Sequence, residues 1–184
     1  MHVGYVIAAV VIVVLALVFF AIYNGLVRLR NRTDNAWAQV DVQLKRRYDL
    51  IPNLVEAVKG YASHEQSTFE QVVEARTQAL AAGTIEEQTN AENLLTGALR
   101  QLFALAESYP DLKASQNFSE LQAQLGETEN KVTVSRQIYN DAVLTFNNRV
   151  QTVPSNLVAG LTGFVVKPFF EAPDEVDQAP EVRF

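Results

Sequence analysis

The sequence predicts an all-α protein: an N-terminal transmembrane helix continuous with an elongated antiparallel up-and-down helical bundle, followed by an extended C-terminal tail. Three observations carry this prediction. Residues 3–22 contain no charge, no proline and no side-chain amide. From there to residue 150, apolar residues recur at alternating three- and four-residue spacing, the period of a helix with one buried face. Four of the six prolines then fall after residue 150. For 184 residues, one domain plus an anchor is the natural organisation. The division predicted is a short end at 1–2, a transmembrane helix at 3–22, a helical bundle at 23–150 and a Pro/Gly-containing acidic tail at 151–184.

The anchor comes first. Twenty residues at the helical rise span roughly 30 Å, the thickness of a bilayer core. Tyr5 and Tyr23 bracket the run, and tyrosine favours both membrane interfaces. A buried soluble helix rarely stays apolar on every face for this long. A cleaved signal peptide needs a basic leading segment, a shorter apolar core and a small-residue cleavage site. Only Met1 and His2 precede this run, and no A-x-A follows it. A retained signal-anchor is therefore expected.

Beyond the anchor, Gly25 is the one helix breaker before Pro52. Leu26, Trp37, Val40, Leu44, Ile51, Leu54, Val58 and Tyr61 fall on the a and d positions of one heptad frame, which Arg30, Thr33 and Arg47 interrupt. This predicts a first bundle helix over about 23–62, continuous with the anchor and kinked at Pro52. Ser67-Thr-Phe-Glu70 and Thr84-Ile-Glu-Glu87 have the capping-box form and open helices over 67–82 and 85–109. Gly83 suits the end of the former, and Pro110 stops the latter. Asn117-Phe-Ser-Glu120 opens the last helix, 118–150. Phe118, Leu121, Leu125, Thr128, Val132, Ser135, Tyr139, Ala142, Phe146 and Val150 mark its seam. Short loops between such helices favour antiparallel neighbours.

The prolines at 154, 168, 173 and 180, with Gly160 and Gly163, predict that helix does not run far into the tail. Residues 157–170 are nevertheless apolar enough to need a surface. Residues 171–184 carry five acids and are expected to be extended or disordered. Helix lengths place the start of the tail on the membrane-facing half of the bundle. Leu157, Leu161, Phe164, Phe169 and Phe170 can then rest on the stem, on a neighbouring subunit or in the headgroup layer. The acidic end Glu171 to Glu181 would be repelled by anionic lipid and can lie against Arg28, Arg30 and Arg32, so protein is favoured, and Phe164 is expected near Leu29 of the same or a second chain.

Several blocks of the chain carry a resemblance. Tyr23 to Glu65 (YNGLVRLRNRTDNAWAQVDVQLKRRYDLIPNLVEAVKGYASHE) resembles the signature of the LemA family. So do Glu74-Ala-Arg-Thr77, Tyr139-Asn140, Pro154-Ser-Asn-Leu157, Gly163-Phe164, Phe169-Phe-Glu171 and the closing Pro180-Glu-Val-Arg-Phe184. The resemblance covers essentially the whole chain. It implies a bacterial single-pass membrane protein with a long antiparallel bundle and no established enzymatic activity. Family genes often neighbour those of TPM-domain proteins and membrane metalloproteases, which is a hint about partners.

Signals for chemistry are sparse. With no cysteine, disulfides, thiolate zinc sites and cysteine catalysis are excluded. His64-Glu65 begins like H-E-x-x-H, but Thr68 stands where the second histidine would be. There is no G-x-S-x-G, no Walker loop and no Gly-rich dinucleotide turn. Glu70 and Glu74 lie one turn apart, but the ferritin-like pattern also needs Glu-x-x-His, which is lacking. They read as a solvated face. No catalytic residue, cofactor site or metal site is expected.

Charge is uneven. Residues 28–47 hold six basic residues against Asp34 and Asp41, whereas residues 48–184 hold nine basic and nineteen acidic ones. An acidic body argues against nucleic acid as a partner, and no small-molecule substrate is inferred. Arg28, Arg30 and Arg32 serve as a topology signal and also suit anionic headgroups. Lys45, Arg46 and Arg47 lie roughly 35 Å up the helix from the membrane, several Debye lengths away, and read as solvated surface. Trp37 reads as core. Asn24, Asn31, Asn35, Gln39 and Gln43 form either a wet stripe or an amide seam between subunits.

The function these readings imply is a membrane-anchored helical scaffold or interaction module, an accessory to a membrane protein complex without catalytic activity. Its partners are the lipid bilayer and another membrane protein or a second copy, met through the stem helix or the tail. The competing readings are a module that binds anionic membrane surfaces, and a metal-binding or enzymatic bundle. Three arginines after the anchor and none before it orient the chain in the cell membrane, N-terminus outside and bundle cytoplasmic.

Overall fold

The computed structural model describes residues 2–171. All its regular structure is helical among the described residues: α1 (His2–Lys59), α2 (Gln66–Ala81), α3 (Ile85–Glu107), α4 (Pro110–Lys113), α5 (Gln116–Gln151) and α6 (Ser155–Thr162). The chain is all-α, as its periodicity predicts. It divides into two compact units. The first comprises the chain up to Ala38 together with Ile138–Pro168, and the second Gln39–Gln137 and the chain from Phe169. The expectations for residues 172–184 lie outside the described residues.

Pro52 lies inside α1 and does not end it. The first part of α1 is long and apolar enough to cross a membrane. Its aliphatic side chains are well exposed on this chain, Val3 at 73% and Leu17 at 64%. Such surface suits an apolar solvent better than water.

In the second unit the helices run antiparallel, which the contacts establish pair by pair. Arg76 Nε of α2 donates to Tyr48 O of α1 at 2.8 Å, and a cleft further along is lined by Val55 and Lys59 of α1 and Gln66 and Phe69 of α2. Gln88 Nε2 of α3 donates to Ala79 O of α2 at 3.3 Å. Arg47 holds Glu92 of α3 and Glu129 of α5, while Phe103 meets Phe118 edge-on at 6.4 Å, so α3 and α5 also run opposite ways. The interior contains Leu44, Ile51, Leu54, Val58, Val72, Leu95, Leu102, Leu112 and Val132.

Capping separates the two boxes read from sequence. At Thr84 both limbs form: Glu87 N–H donates to Thr84 Oγ1 at 3.2 Å, and Thr84 N–H donates to Glu87 Oε2 at 3.0 Å. The amide of Gly83, followed by that of Thr84, holds the Glu87 carboxyl below its ordinary range. At Ser67 no box forms. The turn after α1 already begins α2 at Gln66, so Glu65 takes the N-cap position and Ser67 lies within the first turn. The start of α5 differs similarly, at Gln116 rather than at an Asn117 cap.

In the first unit α1 and α5 are antiparallel. Trp37 meets Tyr139 edge-on at 5.2 Å, and Val150 packs beside Ile22 and Leu26. The tail holds one more helix than its prolines and glycines suggest. Pro154 stands at the N-cap of α6 rather than within it, and Gly163, at φ 76°, is its C-cap. These residues punctuate the ends of a helix, as proline before and glycine after a helix do. From Gly163 to Glu171 the chain has no further helix.

Candidate functional site

The second unit buries an ionic cluster. Heptad spacing brings Arg47 onto the seam of α1, between Leu44 and Ile51, where a charge must be paired or be very costly. It is paired twice. Arg47 Nη1 lies 2.6 Å from Glu92 Oε2, and Nη2 lies 2.8 Å from Glu129 Oε2 and 3.3 Å from Thr96 Oγ1. Tyr48 donates its hydroxyl proton to Glu92 Oε1, and Gln88 Nε2 donates to the Tyr48 oxygen at 2.7 Å. Arg47, Tyr48, Gln88 and Glu92 are all buried, whereas Glu129 is half-exposed. A cleft of about 430 Å³ opens beside Arg47 and Glu129, bounded by Thr96, Leu99, Phe103 and Leu125.

The charges adjust to this burial. Desolvation raises the Glu92 carboxyl above its ordinary range, and the Arg47 guanidinium only partly offsets it. Burial, then the Glu92 charge, drives the Tyr48 phenol far above its own range. A carboxyl raised in the folded state binds its proton more tightly there than in the unfolded chain. Its contribution to stability is therefore full below the unfolded pKa and is lost as pH rises through the elevated folded value. Glu92→Gln removes this titration. Its urea midpoint should gain on that of the parent chain as the buffer is raised from about pH 4 to about pH 7. A gap independent of pH would show that Glu92 titrates normally.

Chemically, the network is satisfied except at Arg47 Nε, which is buried without a partner among the described residues. Both Glu92 oxygens are engaged and both Arg47 terminal nitrogens are spent on carboxylates. Such a group fixes helix register more readily than it performs acid–base work. The sequence reading placed Arg47 on solvated surface with Lys45 and Arg46. Those two are exposed, but Arg47 is not, because the heptad position that made it an interruption also points it inward. Its partners lie on other helices, beyond the reach of local spacing on α1. Gln88, Glu92 and Thr96 recur every four residues beside the apolar Leu95 and Leu99, and that polar stripe was the available signal.

The first unit holds the docked tail. Phe164 lies under the Arg30 guanidinium, 5.4 Å from carbon to ring centre, and edge-on to Tyr23 at 6.0 Å and Phe146 at 6.2 Å. Phe164 thus rests on the stem of this chain, on the residue next to Leu29. Asn147 then grips the backbone of Lys167 twice. Its Nδ2 donates to the carbonyl at 2.8 Å and its Oδ1 accepts from the N–H at 2.8 Å. Tyr139 donates to Pro168 O at 3.0 Å, and Lys167 Nζ pairs with Asp34. Burial, then the Asp34 charge, pushes the Tyr139 phenol up to about 12.

The remaining candidates stay apart. Glu70, Glu74, His64 and Glu65 are exposed. Among the described residues no three metal-binding side chains gather around one point. Asn24, Asn31, Asn35 and Gln39 are exposed on this chain, and Gln43 is half-buried.

Known proteins add the following. The model of the LemA family matches residues 36–184. Magnetosome protein MamQ 2 of Paramagnetospirillum magneticum is 27% identical over 195 residues, covering 89% of this chain and 72% of the relative. Protein LemA of Metamycoplasma hominis is 26% identical over 151 residues, 77% of this chain and 67% of the relative. Magnetosome protein MamQ of Magnetospirillum gryphiswaldense is 26% identical, over 82% of this chain and 65% of the relative.

Proposed function

We propose, from the premise that this chain belongs to the LemA family, that it is a membrane-anchored helical interaction module, an accessory to a membrane protein complex that performs no catalysis itself. One observation carries the reading: α1 begins as an exposed apolar helix long enough to span a bilayer and continues, without a break in helix, into residues that form a buried seam. A single element is thus both anchor and bundle member. The names of the relatives agree with an accessory role, since they denote a family or a cellular assembly, the magnetosome, rather than a reaction. The ionic cluster agrees as well, because both Glu92 oxygens and both Arg47 terminal nitrogens are held within it.

Arg28, Arg30 and Arg32 follow the apolar run and are exposed. The positive-inside rule then sets the N-terminus outside and the bundle in the cytoplasm. Protease added to intact cells should leave the bundle whole, and its removal there would reverse the orientation. Affinity capture of the full chain in mild detergent should recover a membrane protein that is not recovered with residues 1–30 alone. Equal recovery by both would reject the bundle as the presenting surface.

A further inference from the structure

Helix α6 has two unlike faces. Val158 and Ala159 are buried in an apolar cluster with Ile22 and Leu26 of α1, beside Phe19, Val150 and Phe164. Leu157 and Leu161, one turn apart, are 66% and 80% exposed. Val153 before the helix and Val165 after it are exposed at 78% and 74%. Isolated apolar residues on a surface are ordinary, but Leu157 and Leu161 share one face of α6, and apolar residues grouped on a face mark a place of contact.

Position identifies what is contacted. Phe19 and Ile22 belong to the final turn of the apolar run, so α6 packs on the end of the segment long enough to cross a membrane. From Phe19 to Leu26 is about 10 Å along α1, the depth at which hydrocarbon gives way to headgroups. Residues 150–166 contain no charged side chain. Arg28, Arg30, Arg32 and Arg149, in the same unit, are exposed and suit anionic headgroups.

We propose that α6 is a second membrane contact: it lies in the interfacial layer of the bilayer that α1 crosses, with Leu157, Leu161, Val153 and Val165 set among the upper acyl chains. This rests on the reading of residues 3–22 as a span. An interfacial helix of this kind buries its apolar face about 5–10 Å into the headgroup–acyl boundary. The tail is then divided by residue: Phe164 rests on protein, and the exposed face of α6 on lipid.

The chain has no native cysteine, so single labels are unambiguous. Leu161→Cys, Leu17→Cys and Ile138→Cys in the full chain are each given an environment-sensitive fluorophore. Each is reconstituted in phosphatidylethanolamine–phosphatidylglycerol vesicles. Lipid-borne nitroxides near the headgroups should quench the label at 161 roughly twofold or more beyond that at 138, as insertion of 5–10 Å requires. Aqueous iodide should reach 138 and spare 161. If the label at 17 is quenched by deep nitroxides while that at 161 answers only to iodide, the span stands and the α6 proposal falls. If neither quencher reaches 161, protein covers the face and the proposal also falls. If the label at 17 escapes lipid quenching, the span reading fails and takes the proposal with it.

Discussion

Glu92→Ala should destabilise the protein by about 3 kcal/mol, because it strips a buried arginine of its buried partner and leaves only the half-exposed Glu129 to compensate the charge. The contrast within the cluster is what makes the result diagnostic. Glu129 reaches the same guanidinium at 2.8 Å, but its side chain is 46% exposed, so Glu129→Ala should cost no more than about 1 kcal/mol. The double change Arg47→Met with Glu92→Leu removes both buried charges together. It should recover most of the loss, since well-packed apolar replacements of a buried ion pair are often neutral or better. Urea unfolding of the full chain in mild detergent, followed by far-ultraviolet circular dichroism, measures all three. Equal losses at 92 and 129 would mean that burial does not separate the two carboxylates.

The second large effect is expected in the first unit. Phe146 is 1% exposed and meets Phe164 edge-on, so Phe146→Ala should cost about 3–5 kcal/mol. Leu144, two positions earlier on α5, is 51% exposed, and Leu144→Ala should stay within about 0.5 kcal/mol. The phenylalanine substitution has a local consequence too: Phe164 loses the edge-on ring of Phe146. Limited proteolysis should then cut between 163 and 171 sooner than in the parent chain. If the two alanine variants were equally stable, the seam of α5 would be misassigned.

Both sites show which parts of the fold can be read from the chain. The heptad frame found Leu26, Val40, Leu44, Ile51, Leu54 and Val58, all of them buried, as it did Phe118, Leu125, Val132, Tyr139 and Phe146 on α5. A helix seam is a local property, written every three or four residues, so one sequence suffices to show it. Tyr61 belonged to the same frame but lies exposed beyond the end of α1 at Lys59, because a periodic pattern does not mark where a helix stops. Arg47 was visible as an anomaly, whereas Glu92, 45 positions away, was not. Nothing in the local spacing of one helix names a residue on another. For the same reason, the prolines and glycines of the tail revealed that something changes after residue 150 without revealing that a helix stands between Pro154 and Gly163.

The double grip of Asn147 on Lys167 constrains how this protein can vary. A carboxamide facing a peptide unit acts as a single rung of β-ladder, supplied by a side chain. What it recognises is main chain, which every residue but proline offers in full. Position 167 is therefore permissive: most residues placed there keep both bonds and give up only the charge pair with Asp34. Position 147 is not. Aspartate lacks the donor, leucine lacks both partners, and glutamine is one methylene too long. In a library of random variants, the tolerance should therefore be lopsided, with the held residue free to drift and the holder fixed.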